Sequence, residues 1–197
     1  MGSTAHQDNF AADASLPSSW YHVGSTSHSG FDHGHNCSSA DRTGSVADNT
    51  ATFLMTNTMP QAPRNNQQTW AGLENYARTS VNAGNEVHII AGSYDVSGTG
   101  SNGYATTLDG GRITVLKNCW KVMVVLPVGT GDASRITTST RVIAVNMPND
   151  NSTGTAWGSY CTSVDAIEAA MGYDVLSAVS ASVQSMIEAK ADNGSTS

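Results

Sequence analysis

The sequence predicts an α+β fold, a central and mainly antiparallel sheet flanked by helices, and three observations lead there. Short runs rich in β-branched residues recur along the middle of the chain. Helical stripes appear only beside and after them. No regular alternation of strand and helix suggests a parallel sheet. The 197 residues, 39% of them hydrophobic, suit one domain spanning 1–197, with 1–5 and 191–197 expected as disordered tails.

Residues 1–50 are polar and loop-rich, with apolar spots at Phe10, Leu16, Trp20–Tyr21 and Val23. Ala51–Met59 reads as a strand, with Phe53 and Met55 on one side and Leu54 on the other. Pro60–Asn65 is a Pro/Asn-rich turn. From Asn66 to Val81, Trp70, Leu73, Ala77 and Val81 fall at three- and four-residue steps, the stripe of an amphipathic helix that Gly84 can stop. Glu86–Ala91 reads as a buried strand, and 93–111 as a Gly/Ser/Thr loop. Further strands are expected at Arg112–Leu116, Trp120–Leu126 and Arg141–Asn146. After Pro148 the chain turns helical. Thr162 and Asp165 have the spacing of a capping box ahead of Ile167 and Met171, and a last helix carries Val183, Met186 and Ile187.

Charge narrows the functions open to such a domain. Nine Lys+Arg stand against 16 Asp+Glu, a formal net charge of -7, and the only lysines are Lys117, Lys121 and Lys190. A protein that gathers nucleic acid on a broad basic face is excluded. The polarity comes instead from uncharged Ser, Thr, Asn and Gly, which suits a secreted or periplasmic setting. The first six residues have neither a basic nor an apolar region of a signal peptide. No apolar run reaches the ~18 residues of a membrane span. Cys37, Cys119 and Cys161 allow at most one bridge, of which Cys119–Cys161 is conceivable, and fit no CxxC metal pattern.

Two local patterns suggest chemistry. Gly98-Thr-Gly100-Ser-Asn-Gly103 matches GxGxxG, but a strand rather than a helix is expected after it, so a hairpin loop is the better reading than a dinucleotide site. Four of the six histidines, His22, His28, His33 and His35, cluster in sequence. On an extended strand His33 and His35 share one side, which Cys37 continues, so a zinc site from His28, His33, His35 and Cys37 is one reading and structural histidines another.

A longer constellation favours a third reading. It runs Phe31-Asp32-His33-Gly34-His35, Ser39-Ala40-Asp41-Arg42, Thr52-Phe53 with Thr56-Asn57, Pro60-Gln61, then Asn66, Trp70, Leu73-Glu74 and Arg78. This block resembles the DNA/RNA non-specific endonucleases of the ββα-metal (His-Me finger) superfamily, whose pattern is DRGH, SADR, TFxxTNxxPQ and NxxxWxxLExxxR. The resemblance extends over most of the chain, from about His6 to Lys190.

The resemblance implies a ββα-metal fold and a sugar-non-specific endonuclease acting on DNA and RNA, leaving 5′-phosphate and 3′-hydroxyl ends. His35 takes the place of the general base, a role suited to an imidazole with an ordinary pKa of ~6.5. Asn66 takes that of the ligand to Mg2+, with Mn2+ able to substitute. Glu74, eight residues on and so about 80° around a helix from Asn66, could hold a water of the ion's shell. Arg78, at i+4 from Glu74, could pair with it and face phosphate. Asp32, Gly34, Asn57 and Gln61 are supporting residues. No organic cofactor and no membrane partner are implied, and a homodimer is compatible with the sequence.

The chain departs from the family at two arginines. His33 replaces the Arg of DRGH, and His6 stands at the Arg of an upstream RxxxFxxD frame, here His6 with Phe10 and Asp13. Histidine lacks the permanent charge and bidentate fork of arginine. A catalytically weak or inactive binding member is therefore the alternative, as is activity shifted toward the pH at which these histidines are protonated.

Overall fold

The structure, a computed structural model, describes residues 2–196. In chain order its strands and α-helices are β1 (Asp32–His35), α1 (Val46–Ala51), β2 (Thr58–Gln61), α2 (Ala71–Asn82), β3 (Asn85–Val96), β4 (Gly98–Gly100), β5 (Gly103–Ala105), β6 (Thr107–Leu108), β7 (Ile113–Thr114), β8 (Leu116–Pro127), α3 (Asp132–Arg135), β9 (Arg141–Pro148), β10 (Cys161–Thr162), α4 (Val164–Met171) and α5 (Ala181–Ile187). A π-type helical segment, Asn65–Trp70, precedes α2. The α+β class and the antiparallel pairing follow the sequence expectation. No helix among the described residues is long and apolar enough to cross a membrane.

The chain gathers into two compact units. The first holds the chain up to Gln67 with Asp95–Lys117 and Asn149–Thr153. Its centre is the antiparallel ribbon of β1 and β2, in which His33 faces Pro60 and His35 faces Thr58. Pro60 is tolerated because a two-stranded ribbon has only edge strands. The Asn57 side chain locks the ribbon's end: Oδ1 accepts from Cys37 N at 3.0 Å, and Nδ2 donates to Cys37 O at 2.9 Å and Thr52 O at 2.8 Å. Buried Asn149 locks the other end, accepting from Ala62 N at 2.6 Å and donating to Pro60 O and Leu116 O, both at 2.8 Å.

The second unit holds Gln68–Tyr94, Asn118–Pro148 and the chain from Gly154. Its sheet has the order β10-β9-β8-β3. On β8, Trp120, Val122, Val124 and Leu126 point to one face and pack with Val142 and Ala144 of β9, Val164 and Ile167 of α4, and Leu176, Val179 and Ile187. The opposite face buries Cys119, Lys121, Met123, Ile143, Val145 and Met147. A strand buried on both faces loses the alternation of a half-exposed one, which explains the continuous apolar run of β8.

Several expectations are corrected. Ala51–Met59 is not a strand: α1 ends at Ala51, a 3₁₀ turn covers Met55–Asn57, and β2 begins at Thr58. Thr52 Oγ1 closes the helix end on Asn49 O at 2.7 Å, and the turn buries Phe53 and Met55 without any ladder. Pro60 and Gln61 belong to β2 rather than to a turn. The strand over Glu86–Ala91 exists within β3 but is not buried, because β3 is the sheet edge and leaves Ile89 and Ile90 exposed.

The region 93–111 contains strands, and the GxGxxG segment is a hairpin in which Gly98 faces Ala105 and Gly100 faces Gly103. Arg112–Leu116 divides between β7 and the start of β8. The cap of α4 is Ser163, whose Oγ accepts from Ala166 N at 3.1 Å, while Thr162 lies in β10. The Cys119–Cys161 bridge that the sequence allows is not formed: Cys119 and Cys161 are free thiols. Of the ends expected as tails, Met1 and Ser197 lie outside the described residues. Thr4 N donates to Thr43 O at 3.2 Å, and Asp192 takes both arms of Arg141 at 2.9 and 2.7 Å.

Gly34 is where the ribbon most needs a glycine, since a Cβ there would lie 2.6 Å from Cβ of the fully buried Gln61. Gly34→Ala is expected to lower the urea midpoint by the equivalent of about 1–3 kcal/mol, and Gly34→Ala/Gln61→Gly, which removes the opposing Cβ, to recover part of it.

Candidate active site

In β1 the side chains of residues 33 and 35 leave the strand on the same side, as a two-residue period requires. Both imidazoles meet Phe10, that of His33 stacked at 4.4 Å and that of His35 tilted at 5.4 Å between ring centroids. Phe53 stands edge-on to His35 at 5.2 Å and to His6 at 4.8 Å. Phe10 and Phe53 themselves meet at 5.0 Å. His33 and His35, two residues apart, and the distant His6 are thus seated on one pair of phenylalanine rings. In the sequence Phe10 and Phe53 are motif positions, an apolar spot and an expected strand residue, and their contact with the histidines is not legible there.

Asp32 connects this ribbon to the start of the helical segment. Its Oδ2 accepts from Asn66 Nδ2 and from Gln67 Nε2, each at 2.9 Å. With its amide nitrogen held by the carboxylate, Asn66 has Oδ1 left as its lone-pair donor. A hard divalent cation seeks such an oxygen, so the residues fit one. His6, Phe10, Phe31, Asp32, His33, His35 and Asn66 line a cleft of about 360 Å³. The structure therefore brings together five of the expected site residues, His6, Asp32, His33, His35 and Asn66, with Gly34 and Asn57 in the ribbon behind them.

The histidines differ in their electrostatics. Burial first, then the neighbouring His33, pushes His28 down to about 4, against a hydrogen bond to the Asp32 backbone. Burial likewise lowers His33 from the usual histidine value, opposed by a backbone bond at Ser25 and by the carboxylates of Asp32 and Asp8. His28 and His33 stack at 4.7 Å, so each resists the other's protonation. The zinc reading fails on geometry: among the described residues His28, His33, His35 and Cys37 do not bring three donor atoms within 4.8 Å. Cys37 instead lines another cleft with Arg42, Asp48 and Asn57.

Glu74 and Arg78 lie on α2, in the second unit. The Glu74 carboxylate accepts from Lys121 Nζ at 2.9 Å, and that ammonium also sits 4.3 Å from the centroid of the Trp70 ring. Arg78 donates to Asn75 Oδ1 at 2.7 Å. Lys121 is a residue sequence reading missed. Its signal was a single lysine inside the apolar run Trp120–Leu126, where a buried charge demands a partner.

Lys121→Met leaves Glu74 without this partner and is expected to cost about 3–5 kcal/mol in denaturant unfolding, with Lys121→Met/Glu74→Gln recovering most of it. His28 has a depressed folded-state pKa, so the unfolded chain binds the extra proton and stability falls as pH drops from about 6.5 toward 4. Between pH 7 and pH 4 the wild type should lose about 3 kcal/mol more than His28→Gln, measured by urea titration. Parallel curves for the two proteins would refute the assignment.

The chain matches the family described as DNA/RNA non-specific endonuclease over residues 2–182. It is 47% identical over 195 residues to a nuclease of Nostoc sp., covering 98% of this chain and 68% of that protein. It is 33% identical over 75 residues to the mitochondrial endonuclease G of Homo sapiens, covering 38% of this chain and 25% of that protein. A solved structure of an EndoG/EndoGI complex superposes with a TM-score of 0.70 at 17% identity, over 90% of this chain and 72% of that one, which shows a shared fold. The chain belongs to the DNA/RNA non-specific endonuclease family.

Proposed function

We propose that the cleft around His35 and Asn66 is the centre of a Mg2+-dependent endonuclease that hydrolyses phosphodiester bonds of both DNA and RNA. The observation that carries this reading is the convergence of the two residues on one cleft, with the Asn66 amide oriented by Asp32. His35 accepts the proton of the attacking water, the water oxygen bonds to phosphorus, and the bond from phosphorus to the 3′-oxygen breaks. The products are a 5′-phosphate and a 3′-hydroxyl that takes its proton from solvent. A divalent cation on Asn66 Oδ1 would offset the negative charge gathering on the phosphate and leaving oxygens. By the family resemblance Glu74 and Arg78 also serve the reaction, Glu74 with its carboxylate held by Lys121. The uncharged polar surface suits work in a secreted or periplasmic setting.

His33 and His6 occupy the arginine positions of the family. Burial keeps His33 neutral at pH 7, so there it contacts phosphate as an N–H donor without a charge. This observation also favours a second reading, a member that binds nucleic acid and cleaves it weakly or not at all.

Plasmid and RNA digestion with Mg2+ or with EDTA tests both readings. Cleavage should require the metal and fall by about 10²–10⁴ in His35→Ala. His33→Arg should raise the rate at pH 8, where the wild-type imidazole is neutral. Cleavage that is unaffected by EDTA and by His35→Ala would reject the mechanism. Binding with no cleavage from pH 5 to 9 would establish the second reading.

A further inference from the structure

Away from the histidine cleft, the second unit holds two convergent clusters of metal-ligating side chains, and they differ in one respect. Glu86, His88 and Asp132 lie together, but Arg135 donates to both carboxylates, so that cluster already contains its cation. Asp165, Glu168 and Glu188 also bring one oxygen each within 4.8 Å of the others. No lysine or arginine among the described residues forms an ion pair with them.

Asp165 and Glu168 are one helical turn apart on α4, and Glu188 caps the end of α5. The backbone knits the two elements at this point, since Asp165 N donates to Glu188 O at 3.2 Å. Glu168 Oε1 accepts from Val175 N at 2.8 Å, which fixes its carboxylate. Glu188 is only 6% exposed; Gln184 hydrogen-bonds to its carboxylate, while Oε1 is enclosed with no hydrogen-bond partner among the described residues. A fourth carboxylate, Asp174, lies near enough to repel it and is held by Gln184 Nε2 at 2.9 Å. An enclosed carboxylate facing two others is costly unless a proton or a cation joins it.

We infer that Asp165, Glu168 and Glu188 form a calcium site that ties the start of α4 to the end of α5, distinct from the cation of the proposed reaction. Oxygens bound to Ca2+ at about 2.3–2.6 Å stand up to about 5 Å apart across the ion, and the three carboxylates each bring an oxygen within 4.8 Å of the others. Three carboxylates, one fixed by the backbone and one enclosed, supply hard oxygen donors, and water completes the shell. Mg2+ fits less well, because it needs near-octahedral ligands at about 2.0–2.1 Å. Burial first, then repulsion by Glu168, Asp174 and Asp165, raises Glu188 to about 7 without an ion, against the Gln184 hydrogen bond.

The test is thermal unfolding of the full chain at pH 7.5 in EDTA and in 10 mM CaCl2, with calorimetric titration of Ca2+. Calcium in hundredfold excess over its Kd should raise Tm by roughly 5–10 °C. Glu188→Gln should abolish the rise and have a higher Tm than the wild type in EDTA. Asp165→Asn, at an exposed position, gives the same test if Glu188→Gln does not fold. Asn66→Ala should keep the calcium response, which separates this site from the histidine cleft. A wild-type Tm insensitive to Ca2+ overturns the inference. So does a rise that survives Glu188→Gln and Asp165→Asn, or one that disappears in Asn66→Ala.

Discussion

The second unit is governed by the burial of β8 and β9 on both faces. Such a strand pair can carry only apolar side chains unless each polar one is matched. Lys121 is the exception, 1% exposed in the middle of β8. Its ammonium is matched by the Glu74 carboxylate and the face of Trp70, both supplied by the helical segment that covers this side of the sheet. Truncation of one partner would strand a charge in the interior, so the pair fixes how α2 can lie on the sheet. The same pair explains how an acid on a surface-like amphipathic helix acquires a single, fixed orientation.

Legibility in the sequence followed how local each signal was. The β8 run, β9 and the α2 stripe were readable because burial imposes a period that neighbouring residues share. The placement of His33 and His35 on one side of β1 followed from the two-residue period alone. Ala51–Met59 misled for the same reason: its apolar alternation is satisfied by a helix end and a 3₁₀ turn that bury Phe53 and Met55. Position in the sheet was invisible, so the apolar β3 was read as buried although it lies at the edge. No local pattern singles out Asn149, and only the fold shows its side chain joining three backbone segments. The Lys121–Glu74 pair spans 47 residues of sequence, beyond the reach of any local rule.

The acidic, lysine-poor composition takes on a narrower meaning once the site is described. It excludes affinity built from many phosphate contacts. It does not exclude a cleft whose donors are two histidines at arginine positions and an asparagine oxygen. The burial of His33, stacked on Phe10, has a cost for that design, because desolvation disfavours its imidazolium. In the proposed reaction His33 would then offer phosphate an N–H without a charge, and a bound cation would supply the positive charge.

Two buried groups titrate in opposite senses. His28 has a depressed folded-state pKa, so its contribution is present above about 6.5 and is lost as pH falls toward 4. Glu188 has a raised one, so its contribution is present below 4.5 and is lost as pH rises through about 7. Across the interval they share, each loss is offset by the other's gain, which flattens the dependence of stability on pH. A cation among Asp165, Glu168 and Glu188 would remove the Glu188 side of this balance by favouring its ionised form. The His28 slope would then stand alone, so that stability would fall as pH drops from about 6.5 toward 4 with nothing from Glu188 to offset it.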